Sequence, residues 1–185
     1  HAPLIDEIAE WVAGVRFSDI PGRVRERIKV QSIGMIGAAF AGLKSEGGRA
    51  ALSAVRKRGG EGAATILPTG EKAPAHEALF ANTALSMTFD YDDYLFMGHT
   101  GHSAVFAPWA SCEALGRSGE DFLLAATVAN EVEGRIGATV LLGPHNGQLW
   151  AFIHAVGTAC AAAKLMGLNA AQIRNALGIS LYLPP

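Results

Sequence analysis

Charge is scarce in this chain. Asp, Glu, Lys and Arg make up only 17% of the 185 residues, and 15 basic against 17 acidic side chains leave a formal net charge of −2. Without a basic run there is no electrostatic footprint for nucleic acid or for an anionic membrane surface, so neither is expected as a partner. Cysteine is nearly absent. Cys112 and Cys160 each stand alone in an apolar helical pattern. With no CxxC spacing and no secretory leader, they suit buried thiols in a reducing cytoplasm and exclude a cysteine metal cage. Long uninterrupted apolar runs are also lacking. Residues 123–129 and 149–166 come closest, but Glu131, Glu133, Arg135, His154 and Lys164 interrupt or bound them before a membrane-spanning length is reached. No tandem repeat or low-complexity linker marks an internal boundary, so residues 1–185 are read as one domain.

What is abundant is apolar residues at helical spacing, within a sequence that is 50% hydrophobic. Leu4, Ile5, Ile8, Trp11, Val12 and Val15 form a first helical stripe, and Pro21 opens a second helix reaching Leu43. The second half of that helix, "IGMIGAAFAG", is apolar all round and predicts a central, buried segment. "SEGGRAALSAVRKRGG" reads as an exposed amphipathic helix closed by glycine. "ATIL" before Pro68 reads as half of a small hairpin. Further helices are expected over 74–92, 103–116, 119–142, 148–166 and 169–181. The expected fold class is therefore all-α, with at most one small β-hairpin. The apolar ending "SLYLPP" suggests a chain that continues beyond Pro185.

Against this background one stretch stands out, "FDYDDYLFMGHTGHSAV", residues 89–105, with three carboxylates and two histidines close together. If the preceding helix runs on to Asp93, then Asp90, Asp93 and Tyr94 share a face and Asp92 points elsewhere. Three negative charges at a helix C-terminus oppose its dipole, which argues for a role other than stability. A carboxylate crowded in this way has its pKa raised and is suited to moving protons. Ser103 reads as the N-cap of the next helix, whose free N–H groups, with His99 and His102 beside them, would receive a small anion such as a substrate carboxylate. An ordinary solvated loop is the competing reading.

Asp90, Asp92, Asp93, His99 and His102 are all potential metal ligands, but their spacing matches no metal motif, and no metal is expected. A second polar island, "GPHNGQLWAFIH", leaves His145 in a loop and His154 two turns into a helix.

The order of "DYDD", "HTGHSAV", "EVEGRIG" and "HAVGTACAAAKLMGLNAAQIRNALGIS" resembles the amino-terminal part of the MmgE/PrpD family, whose members include dehydratases, decarboxylases and epimerases of small polycarboxylates such as 2-methylcitrate and cis-aconitate. The resemblance implies a helical domain followed by a smaller lid domain, an active site between the two, no metal or organic cofactor, and a homodimer. It also implies that Asp90 faces the substrate. Tyr94 stands where the family commonly has threonine. A family histidine maps to His102 or His99 and a later one to His154 or His145, while the family's active-site lysines and tyrosine fall beyond Pro185. Two functional readings follow. One is a cofactor-independent lyase or isomerase, with Asp90, His102, His99 and Tyr94 in catalysis and Asp93, Ser103, His145 and His154 binding substrate. The other is a helical fragment or degenerate member that binds a partner or small acid without catalysis.

Overall fold

Side-chain caps open three of the helices, and proline stands before three others. The computed structural model describes residues 3–90, 92–95, 98–141 and 150–182. Helix α1 covers Leu4–Gly14, and a 3-10 turn at Phe17–Asp19 leads through Pro21 into α2, Gly22–Gly42. Helix α3, Glu46–Arg58, starts where Ser45 Oγ accepts the Gly48 N–H at 2.9 Å and ends on Gly59, whose φ of 65° a side chain would resist. Strands β1, Ala64–Ile66, and β2, Glu71–Ala73, pair antiparallel with Ala64 opposite Ala73. This is the only strand pair among the described residues, so the chain is all-α with one small hairpin. Helices α4, Ala75–Met87, α5, Gly101–Ala104, α6, Phe106–Leu115, α7, Gly119–Leu141, α8, Trp150–Leu165, and α9, Ala170–Tyr182, complete the chain. Reciprocal side-chain caps open α7, between Ser118 and Asp121, and α9, between Asn169 and Gln172.

Two apolar cores flank the future site. One gathers Met35 of α2, Leu52 of α3, Ile66 of β1, Leu85 of α4 and Phe106 of α6. Glu113 of α6 accepts from Thr65, and Asn82 of α4 bonds Leu67 and Thr65, so the hairpin is tied to this core. The other core gathers Val12 of α1, Val128 and Val132 of α7, Val156 and Cys160 of α8, and Ile173 and Leu177 of α9. Helices α5 and α6 with the middle of α7 and α8 lie between the two, joined by an alanine-rich contact that includes Ala104, Ala125, Ala129 and Ala161. Small side chains let these backbones approach closely, so polar groups on four different elements can meet.

Three expectations need correction. The helix expected over 74–92 stops at Met87, and Asp90 adopts a left-handed φ of 54°. Leaving the helix spares the three carboxylates its negative end and turns Asp92 and Asp93 towards buried donors. The helix expected from Ser103 is instead the pair α5 and α6, separated at Val105. Pro108 has no N–H for the carbonyl of Ala104, which explains the break. Finally, α2 is not buried all round. Met35, Ala38 and Ala39 face the core, but Val30, Ile33 and Phe40 are exposed, because no described element packs over that side. Cys112 and Cys160 are free and buried, and burial pushes their thiols up to about 11 and about 12. No described helix is long and apolar enough to cross a membrane.

Candidate active site

The loop between α4 and α5 is held by Asp93. Its carboxylate accepts the Gly101 N–H at 2.9 Å, Gln31 Nε2 at 2.8 Å and Thr100 Oγ1 at 3.1 Å. The anion receptor expected at this helix start is therefore filled by the chain itself. Gly101 is needed here because a Cβ would lie 2.3 Å from Asp93 Oδ1. Gln31 and Asn130 exchange hydrogen bonds behind this group and fix the loop between α2 and α7. Asp93 and Tyr94 line an outer groove rather than the cavity described below, and Tyr94 is exposed with its ring edge-on to His99.

Asp92 sits at the centre of the cluster, its side chain fully buried. One oxygen, Oδ1, is 2.5 Å from His99 Nδ1, and that nitrogen is also 3.0 Å from the backbone carbonyl of Asp93. A carbonyl can only accept, so Nδ1 carries the proton. The other oxygen, Oδ2, is 2.7 Å from His102 Nε2, an ionic contact outside hydrogen-bond alignment. On its far side His102 Nδ1 meets Ser86 Oγ at 2.9 Å. A carboxylate so close to Nε2 places a His102 proton there, and the single Ser86 hydroxyl proton lies between Nδ1 and the Thr83 carbonyl, 3.0 Å away. Asp90, with its side chain 81% exposed, is 3.6 Å from His99 Nε2. A continuous polar chain thus runs from the surface at Asp90 through His99 and Asp92 to His102. Burial holds His102 below the ordinary imidazole range, opposed by the nearby Asp92 anion and reinforced by His154.

A second buried carboxylate, absent from the expected site, lies behind Ser103. Glu133 of α7 is fully buried. Ser103 Oγ is 2.7 Å from Glu133 Oε1 and 2.7 Å from His154 Nδ1 of α8. Glu133 Oε2 is 3.7 Å from His154 Nδ1 and has no hydrogen-bond partner among the described residues. Burial pushes the Glu133 carboxyl up to about 7 against the opposing effect of His154 and Ser103. The neighbouring helix is shaped to admit it: a Cβ on Gly157 would stand 1.7 Å from Glu133 Oε1. Gly157→Ala is accordingly expected to lower stability by about 1–3 kcal/mol, the cost of overpacking, as read by urea unfolding. An unchanged midpoint would show that Glu133 can swing aside freely.

The two histidines meet at one cavity of about 380 Å³ between α4, α5 and α8. Leu79, Phe80 and Met87 line one side, and His102, Ser103 and His154 line the other. The His102 and His154 ring centres are 6.2 Å apart. Both nitrogens of His102 are taken up by protein contacts, whereas among the described residues His154 has only Nδ1 engaged, by Ser103. Of the residues expected at the site, His102, Ser103 and His154 converge on the cavity, His99 stands behind Asp92, and Asp90, Asp93 and Tyr94 lie outside the wall; His145 lies outside the described residues. Asp90, Asp92 and His99 each offer a ligand atom within 4.8 Å of one another. That set suits a hard divalent cation, but Asp92 Oδ1 is already bound by the His99 N–H.

Comparison with known proteins bears on what this wall belongs to. A cis-aconitate decarboxylase of Aspergillus terreus is 29% identical over 187 residues, covering 94% of this chain but 38% of that protein. The cis-aconitate decarboxylase of Homo sapiens is 26% identical, covering 96% of this chain and 39% of that protein. The chain thus spans well under half the length of these curated relatives. The family model for the MmgE/PrpD N-terminal domain matches residues 6–184. The chain therefore belongs to the MmgE/PrpD family.

Proposed function

We propose that this chain supplies the proton-transfer wall of a metal-independent lyase or isomerase of small polycarboxylates, with cis-aconitate the first substrate to test. The observation that carries this reading is the pair of cavity histidines 6.2 Å apart, each backed by a fully buried carboxylate. Two similar groups held in different environments are how one site obtains both an acid and a base at one pH. His102 carries a proton at Nε2 facing Asp92, and protonates substrate only by releasing that contact. His154 offers the ring nitrogen that Ser103 leaves unengaged.

The reactions of this class need a proton donor, a proton acceptor or both beside the carbon skeleton. In a decarboxylation the bond to the departing carboxylate breaks, carbon dioxide leaves, the electron pair stays on the carbon skeleton, and an acid protonates that carbon. Dehydration and epimerisation begin instead with removal of a proton next to a carboxylate. The cavity volume suits a small molecule, and its apolar side would hold a carbon skeleton while keeping water out. The names of the relatives point to cis-aconitate. Asp93, already saturated by donors of its own chain, serves to hold the loop, and Asp90 with Tyr94 forms the outer rim. The exposed apolar face of α2, with Val30, Ile33 and Phe40, is where self-association would be covered. Two free buried thiols fit a reducing, cytoplasmic setting.

The test is to incubate the complete protein with cis-aconitate, 2-methylcitrate or citrate, following carbon dioxide release and substrate loss with and without a chelator. Turnover of one of these acids at a rate the chelator leaves unchanged is expected. Activity lost on chelation and restored by a divalent cation would give Asp90, Asp92 and His99 a metal role. Heat of binding without turnover of any of them would leave the non-catalytic reading in place.

A further inference from the structure

Glu133, the carboxylate behind His154, is fully buried at a cost to the fold. A carboxylate taken out of water without full hydrogen bonding destabilises a fold, and an apolar side chain of similar size is often better there. Here α8 carries a glycine at 157 whose missing Cβ leaves the space that Glu133 fills. Glu133 also stands within 2.7 Å of a serine hydroxyl that in turn stands 2.7 Å from a cavity histidine. We propose that Glu133 is a proton store behind His154, reached through the Ser103 hydroxyl, and that it sets which nitrogen of His154 is basic.

The proton count follows from the donors available. Ser103 Oγ has one proton and three neighbours, Glu133 Oε1, His154 Nδ1 and the carbonyl of Thr100 at 3.1 Å. With Glu133 ionised, Ser103 donates to Oε1 and His154 Nδ1–H donates to Ser103, so Nε2 bears the lone pair and is the base. When Nε2 takes a proton from substrate, the Nδ1 proton passes to Ser103 Oγ as the Ser103 proton passes to Glu133 Oε1. The outcome is a neutral carboxylic acid, a serine hydroxyl and a neutral imidazole protonated at Nε2. One proton has entered and one carboxylate has been neutralised, and no buried ion pair is left. Reversal returns the proton to substrate from Nε2.

Among the described residues, three titratable groups face Glu133: His154 and Cys160 on α8, and Asp93 in the loop before α5. Burial and the Asp93 charge favour the neutral acid and His154 favours the anion, which leaves the carboxyl at about 7, where both forms of the relay are populated near neutrality. Cys160 is held protonated by its own burial and by the Glu133 charge, so it takes no proton in this range.

This inference rests on the acid and base reading of the cavity, and its test separates the two. Infrared spectra of the complete wild-type protein are expected to show a buried protonated carboxyl band that fades as pH rises through about 7 and is missing from Glu133→Gln. That arm needs no substrate, so it decides the relay even if every acid tested fails to turn over, in which case it is the functional reading that falls. In the kinetic arm Glu133→Gln is expected to lower kcat roughly tenfold or more, the effect of removing an outer partner that fixes a histidine tautomer, with KM little changed. Ser103→Ala, which removes only a hydroxyl, should lower kcat similarly and leave the carboxyl band in place. Should Glu133→Gln fail to fold, Ser103→Ala still carries the kinetic test. Absence of the band in wild type, or wild-type kcat in Ser103→Ala, would overturn the proposal.

Discussion

Replacing His154 with glutamine in the complete protein is expected to lower kcat about 100-fold or more, the contribution of a positioned acid or base. The ring sits at the cavity wall with its side chain 27% exposed, and Ser103 engages Nδ1 alone. Glutamine keeps a hydrogen-bonding group beside Ser103 but has no nitrogen that takes up and returns a proton near neutrality. Few apolar contacts are lost, so the urea midpoint should move little. Losing a group that only holds substrate raises KM at constant kcat. A KM effect alone would therefore reduce His154 to a substrate contact.

His102→Gln is expected to cost as much in kcat and also to lower stability, because this ring is buried between two partners. Its replacement takes away the His102 N–H that faces Oδ2 of the buried Asp92, at about 1–3 kcal/mol for an unsatisfied buried group, while Ser86 keeps the Thr83 carbonyl as acceptor. The pH dependence of stability gives a second readout. With His102 held below its ordinary value by burial, the unfolded chain binds more protons than the folded one once pH drops below about 6.5. Its contribution is present above that pH and is lost as pH falls towards the folded value. Glu133 acts at the other end. Its carboxyl is raised to about 7, so its contribution is complete below about 4.5 and is lost as pH rises through 7, roughly 3 kcal/mol at most for a group so fully buried. His102→Gln should flatten the acid decline and leave the alkaline one. If the acid decline persists unchanged, another group causes it.

Helical periodicity made most of the fold legible, since the stripe from Leu4 to Val15 and caps such as Ser45, Gly59 and Asn169 are local chemistry. The first strand of the hairpin, Ala64–Ile66, was readable as the strand-like run before Pro68. The outer face of α2 was not, because periodicity counts apolar residues without knowing what lies opposite, and Ile33 and Phe40 face outward. The site itself was legible as a region and less so as an arrangement. Placing Asp92 apart from the other carboxylates depended on a helix running past Met87, and once Asp90 takes a left-handed conformation the helical register no longer applies. His102, Ser103 and His154 were all singled out, but that Ser103 bridges to His154 depends on how α5 meets α8, a contact 51 residues apart. Glu133 was overlooked although a signal existed: it lies four residues after Ala129 and four before Gly137 on the buried side of α7. A charged side chain at a core position of an apolar helix face is rarely there for stability.

The pH dependence of kcat/KM in the complete protein reports the essential groups of the free enzyme. Wild type should lose activity on the acid side as the Glu133–Ser103–His154 relay fills with a proton, and His154→Gln should keep only a low residual rate on which that acid limb is gone. An acid limb unchanged in position and steepness in His154→Gln would contradict the assignment of the base to His154 and with it the pairing of the two histidines across the cavity.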